Sequence, residues 1–307
     1  MKRRSLLQLG SAAALLSNLP ANANSDVIKR PKRLMKGQTV AIVAPASVTY
    51  ESLQLQLALE ALQAMGLKAK VGDHVMDRFG YLAGQDRDRA ADINAAFIDP
   101  EVDAIFALRG GWGASRLLPF IDFDAIRENP KVILGYSDIT SLLNAIYAKA
   151  GVVSFHGPNL MSRWNEFTYQ SMREVLFEAK SARYSNPIDL DGELVVRKNR
   201  IQTIVPGRAE GHLIGGNLTL MTALLGTPYL PKFDNAILFL EDVGEAIYRV
   251  DRMLTQLRLS GHLQKVSGIV FGHFTGVKPN PGLGNFALMD ILKQHCEPLG
   301  VPCYFGE

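Results

Sequence analysis

Cysteine and tryptophan are scarce in this chain, with two of each in 307 residues. Cys296 and Cys303 both lie near the C-terminus. Two cysteines exclude a disulfide-stapled scaffold and a four-cysteine zinc site. One bridge between them is open to an exported protein, and two buried thiols are the other reading. Long apolar runs are lacking beyond the first segment, so the rest of the chain offers no integral membrane span. A charge excess is lacking too. The formal charge is +3, but Lys2, Arg3 and Arg4 supply it: without them 30 basic residues face 30 acidic ones. That balance argues against nucleic acid or a polybasic membrane surface as partner. Internal repeats and low-complexity segments are missing, and so is the Gly-Lys-Ser/Thr of a phosphate loop.

What is present is a globular composition, 47% hydrophobic and 21% charged, long enough for one large or two ordinary domains. The first residues stand apart. Lys2-Arg3-Arg4 precede an apolar run, Leu6 to Leu19, and Ala21-Asn22-Ala23 is a small-x-small cleavage site. This predicts a signal peptide over residues 1–23 and a periplasmic or exported protein. Arg3-Arg4-Ser5-Leu6-Leu7 resembles the twin-arginine export motif, with an ordinary secretory signal as the alternative.

Strands and helices then alternate. Gln38 to Ala44, Leu67 to Val71, Val102 to Leu108 and Val152 to Phe155 read as strands, and Asp86 to Phe97 as a helix stopped by Asp99-Pro100. The alternation predicts an α/β fold with a doubly wound, mostly parallel sheet, whose ligands bind at the carboxyl ends of the strands. Around Arg163 to Val205 the chain turns polar and gains Asn186-Pro187, Asp191-Gly192 and Pro206-Gly207. The expected division is an N-terminal α/β domain over 24–183, a linker over 184–209 and a smaller C-terminal α/β domain over 210–307.

The stretch Lys131 to Thr140 carries the functional signal. Val132, Ile133 and Leu134 form a buried strand; Ile139, Leu142, Leu143 and Ile146 recur at helical spacing. Gly135-Tyr136-Ser137-Asp138 leaves no room for a loop between them. A strand turning this sharply into a helix exposes the turn residue at the sheet edge, with backbone N–H groups beside it. With Ser137 there, this is a nucleophile elbow, although Ile139 stands where G-x-S-x-G needs its second glycine. The competing reading is that Ser137 or Asp138 merely caps the helix.

A serine needs a base, usually histidine, and the base needs a carboxylate to orient it. Glu241 and His273 also directly follow apolar strands, Ala236–Leu240 and Ser267–Phe271. They complete the set Ser137, Glu241, His273. His74, His156, His212, His262 and His295 are rivals for the base, and turn-capping or core roles compete for Glu241 and His273. Arg109-Gly110-Gly111-Trp112-Gly113 is a glycine loop that lets a ligand approach the backbone closely. One N–H of these glycines, with that of Asp138, suits an oxyanion hole. Arg109, Gly110 and Trp112 are the substrate-binding candidates.

These segments resemble the LD-carboxypeptidase family, also called muramoyltetrapeptide carboxypeptidases. The likeness runs through Lys36–Ser47, Ala107–Gly113, Gly135–Thr140, Phe155–Pro158, Gly211–Leu218, Phe239–Val243 and Gly272–Phe274. It implies an N-terminal domain carrying the nucleophile Ser137, with the N–H groups of Asp138 and Gly111 as oxyanion donors, and a C-terminal domain carrying the base His273 and its orienting Glu241. It also implies a homodimer, no metal or cofactor, and release of terminal D-alanine from a murein tetrapeptide or related muropeptide. Some relatives inactivate a peptide–nucleotide antibiotic instead. Two features depart from the family. Many relatives work in the cytoplasm, and most continue beyond the segment equivalent to Pro302–Glu307. The short end predicts an uncovered sheet edge and leaves open a truncated chain that binds muropeptide without cutting it.

Overall fold

The computed structural model describes residues 28–183, 185, 194–195, 200–278, 284 and 286–306. The export-signal segment 1–23 and half of the expected linker lie outside them. Among the described residues no helix is long and apolar enough to cross a membrane.

The first sheet contains β1 (Thr39–Val43), β2 (Lys68–Val71), β3 (Ala104–Ala107), β4 (Val132–Gly135) and β5 (Phe155–His156), in the order β2-β1-β3-β4-β5. Every pairing is parallel. The central strands β3 and β4 are buried at every residue, which is why they read as unbroken apolar runs. Helices α1 (Ser52–Ala64), α2 (Asp86–Ile98), α3 (Phe123–Glu128) and α4 (Thr140–Ala150) connect the strands. Strand order reverses between β1 and β3, and that switch point opens a crevice at their carboxyl ends. The strand expected at Val152 is shorter than the sequence suggests: Val152 makes only an isolated bridge to Lys29, and pairing with β4 begins at Phe155. Helix α5 (Glu166–Leu176) starts where Asn165 caps it, accepting from the Thr168 amide at 2.8 Å.

The second sheet has the order β6-β10-β9-β8-β7, built from β6 (Gln202–Val205), β7 (His212–Asn217), β8 (Ala236–Val243), β9 (Gly268–Thr275) and β10 (Cys303–Phe305). Four strands run parallel, and β6 joins antiparallel at the edge. The far side of β9 is therefore not the uncovered edge that the short C-terminus predicts. Residues 303–305 themselves pair with it, and β6 covers them in turn. Helices α6 (Leu218–Ala223), α7 (Ile247–Leu259) and α8 (Leu288–Cys296) accompany this sheet, and Cys296 and Cys303 are buried free thiols in its core.

The two sheets meet through α4 and β7. Asn144 on α4 donates to the Gly215 carbonyl at 2.8 Å, and the Asn217 amide donates to Thr140 Oγ1 at 3.0 Å. Gly215 and Gly216 have φ of 125° and 134°. A Cβ on Gly216 would lie 2.6 Å from Thr140 Oγ1 and 3.0 Å from His156 Nδ1. Only bare backbone fits this seam. Gly216→Ala is expected to lower stability by about 1–3 kcal/mol through overpacking. Gly226→Ala, at a positive φ with open space around it, is the control for backbone strain alone. Urea unfolding of both variants checks this; equal losses would place the cost in φ rather than in the seam.

Candidate active site

Ser137 has φ of 61°, in the left-handed region that costs a side-chain-bearing residue about 1–2 kcal/mol. The surrounding contacts hold it there. Asp138 turns its carboxylate away from α4 and accepts the Ala114 amide at 2.7 Å. Ser141 Oγ donates to the Asp138 carbonyl, and the Tyr136 amide donates to Asn159 Oδ1 at 3.3 Å. A Cβ on Gly135 would come within 2.8 Å of Ile139 Cγ2, so the strand can run straight into the turn only as glycine. No side chain caps α4. The capping reading of Ser137 and Asp138 therefore has no hydrogen bond behind it.

The glycine loop lies directly over this serine. A Cβ on Gly110 would sit 3.1 Å from Ser137 Cβ and 3.2 Å from its Oγ. Gly111, with φ of 118°, faces Ser47 instead: its Cβ would fall 2.2 Å from Ser47 Oγ. Ser47 Oγ accepts the Trp112 amide at 3.0 Å, and Arg109 donates to the Val48 carbonyl at 2.9 Å. Arg109 thus fastens the loop to the segment that follows β1, while Trp112 stands 69% exposed. Arg89, fully buried on α2, braces the same loops from behind by donating to the carbonyls of Pro45 and Gly113. Nothing in the local sequence marked this arginine, because it looks like one more charge on a polar helix.

Glu241 reaches the cleft from β8. Its Oε1 is buried without a hydrogen-bond partner among the described residues. Burial, and then the neighbouring charge of Asp242, push its carboxyl up to about 7. Asp242, one residue on, points into the core and is fully used: Asn217 Nδ2, the Thr219 amide and hydroxyl, and the Val243 amide all donate to it. The imidazole near Glu241 is His156, with Nε2 at 3.8 Å from Oε1. Burial lowers His156 to about 4. At neutral pH it is uncharged, so this contact is no ion pair.

His273 lies across the β8–β9 ladder from Glu241, at a register shift. The Glu241 side of β9 is occupied by Gly272, whose Cβ would touch Glu241 Cβ at 3.5 Å. His273 itself is exposed and makes no hydrogen bond or ion pair among the described residues. The structure thus brings Gly110 to Ser137 and His156 to Glu241, and it leaves His273 outside those contacts. Away from the cleft, His74, Asp77 and Asp88 hold ligand atoms within 4.8 Å of one another, although the His74 ring already bonds Asp77 at 2.8 Å.

Fold and site together define an α/β protein assembled from two sheets that meet beside Ser137. Within that class, the chain belongs to the LD-carboxypeptidase family: the family's N-terminal domain matches residues 40–157 and its C-terminal domain residues 210–307. It is a carboxypeptidase-type peptide hydrolase. A protein of Bacillus subtilis named "Probable murein peptide carboxypeptidase" is 38% identical over 90% of this chain and 85% of its own length. Among solved structures, MccF in complex with glutamyl sulfamoyl guanosine superposes with a TM-score of 0.79 at 28% identity, covering 90% of this chain and 89% of that one. Muramoyltetrapeptide carboxypeptidase from Oxalobacter formigenes gives 0.70 at 30% identity and 88% of each chain.

Because the folded Glu241 carboxyl titrates near 7 and its ordinary value is 4.5, the folded state binds more protons than the unfolded one between those values. Its contribution to stability therefore falls as pH rises through that window. Glu241→Gln removes the effect. From pH 4.5 to above 7 the variant is expected to gain roughly 3 kcal/mol relative to the parent. Unfolding free energies of both chains across pH 4.5–8 measure this; parallel curves would refute it.

Proposed function

We propose that the chain is a serine LD-carboxypeptidase that releases the terminal D-alanine of murein tetrapeptides, cutting after the L-centre of a diamino acid. The left-handed Ser137 beneath Gly110 carries this reading. Its hydroxyl attacks the scissile carbonyl, and the N–H groups of Asp138 and Gly111 take the developing oxyanion. Glu241 orients the base. His273 is assigned as that base from its place across the ladder from Glu241. His156 is nearer, but an imidazole lowered to about 4 is a weak acceptor for a serine proton at neutral pH. The murein names of the Bacillus and Oxalobacter proteins support the substrate class. The chemistry of a serine nucleophile calls for no metal or cofactor. The proposal includes a homodimer, export through the segment 1–23, and the division at 184–209.

The likeness to MccF favours a second reading, an amidase for a peptide–nucleotide conjugate. Side-by-side assays of the two substrate types separate these readings. Mass spectrometry of murein tetrapeptide treated with the chain is expected to show loss of one alanine. Ser137→Ala should lower turnover by roughly 10⁴-fold or more. Near-parental turnover in that variant would remove the serine mechanism. His273→Ala is expected to be similarly inactive. If it keeps parental turnover while His156→Ala loses it, the base is His156. Tetrapeptide binding without release by the parent would establish a non-catalytic binding protein.

A further inference from the structure

A cavity of about 350 Å³ adjoins the elbow, lined by Tyr136, His156, Pro158, Ser162, Arg163 and Thr168 among others. No carboxylate lines it, and Arg163 is its one cation. Among the described residues Arg163 makes no hydrogen bond or ion pair. A guanidinium left unpaired beside a reaction centre is a ready receptor for an anionic group, since its fork matches a carboxylate.

The strap that carries Arg163 is firmly placed. The amides of Leu160 and Met161 donate to the carbonyls of Ala107 and Leu108 at the end of β3, each at 3.0 Å. The Ser162 amide donates to Asn159, and Trp164 Nε1 to the Leu160 carbonyl. Ser162 Oγ meets Tyr136 OH at 3.3 Å, which ties the strap to the residue preceding Ser137. Thr168 lies in the first turn of α5, so the positive end of that helix faces the same cavity. One cation, three hydroxyls and a helix end converge on a space one residue from the proposed nucleophile.

We infer that Arg163, with Ser162 and Thr168, binds the free C-terminal carboxylate of the residue that is released. This rests on the carboxypeptidase reading of the same site, and it supplies what separates a carboxypeptidase from an endopeptidase: a receptor for the chain end. The diamino acid's own second carboxylate is the other group of matching chemistry, and the test separates the two.

Equilibrium binding to the full-length Ser137→Ala chain needs no turnover. The probes are an L-lysine-type tetrapeptide, which lacks the second carboxylate, and the same peptide with a C-terminal carboxamide. The acid is expected to bind about 10-fold or more tightly than the amide, as a charge-assisted pair requires. Adding Arg163→Gln should bring the two affinities together, and Arg163→Lys should keep part of the preference. Equal affinities with Arg163 present, or an acid preference unchanged by Arg163→Gln, would overturn the inference. So would a loss confined to diaminopimelate-type peptide, which would assign Arg163 to the diamino acid. Binding that follows the expected pattern while the parent chain releases no alanine would instead count against the catalytic reading and leave this subsite standing.

Discussion

The molecule depends on a seam where one strand presents backbone instead of side chains. At Gly215 and Gly216, β7 comes close enough to the elbow helix for Asn217 to bond Thr140 and for Gly215 to bond Asn144. Any Cβ there would fall inside van der Waals range of Thr140 and His156, or of the Phe239 backbone. The approach lets a carboxyl on the second sheet share a cleft with a serine on the first. Neither sheet alone forms that cleft. The asparagines and Thr140 then satisfy the polar groups that such close contact would otherwise strand without partners.

Electrostatics in the cleft follow from the same closeness. Asp138 and Glu241 are both withdrawn from water, and burial raises their carboxyls to about 6 and about 7. Asp138 recovers part of that cost from the Ala114 amide, whereas Glu241 Oε1 has no donor among the described residues. The two acids do different work. Asp138 locks the glycine loop to the elbow, while Glu241 keeps an acceptor available inside the cleft. A donor reaching Oε1 would favour the ionised form.

Much of the first sheet was legible because its signals are local. Apolar runs such as Val132–Leu134, the bare Gly135 and the close-following helix leave few conformations for Ser137, which adopts a left-handed φ. Glycines 110 and 111 read as a close-approach loop, but which of them faces the serine depends on how the loop is pinned at Ser47 and Arg109. That is tertiary information. His156 stood among six histidines with nothing local to mark it; its place beside Glu241 exists only once β5 pairs with β4 and the sheets meet. Arg163 and Arg89 were hidden for a like reason. An arginine's role rests on what surrounds its head group, and periodicity records only the position of its stem. The edge assignment failed because β10 is three residues long and its partner β6 comes from a hundred residues earlier, beyond the reach of any pattern in a short window.

That long-range pairing sets an order on the birth of the protein. All strands of the first sheet lie between residues 39 and 156, so a growing chain can complete it, elbow included, well before the rest is made. The second sheet closes only when residues 303–305 slide between β9 and β6, strands far apart in sequence and therefore slow to find one another. The costly serine is installed early, and the carboxyl-bearing wall of its cleft is secured last. A half-made chain would carry the strained Ser137 turn without the finished second sheet that walls its cleft.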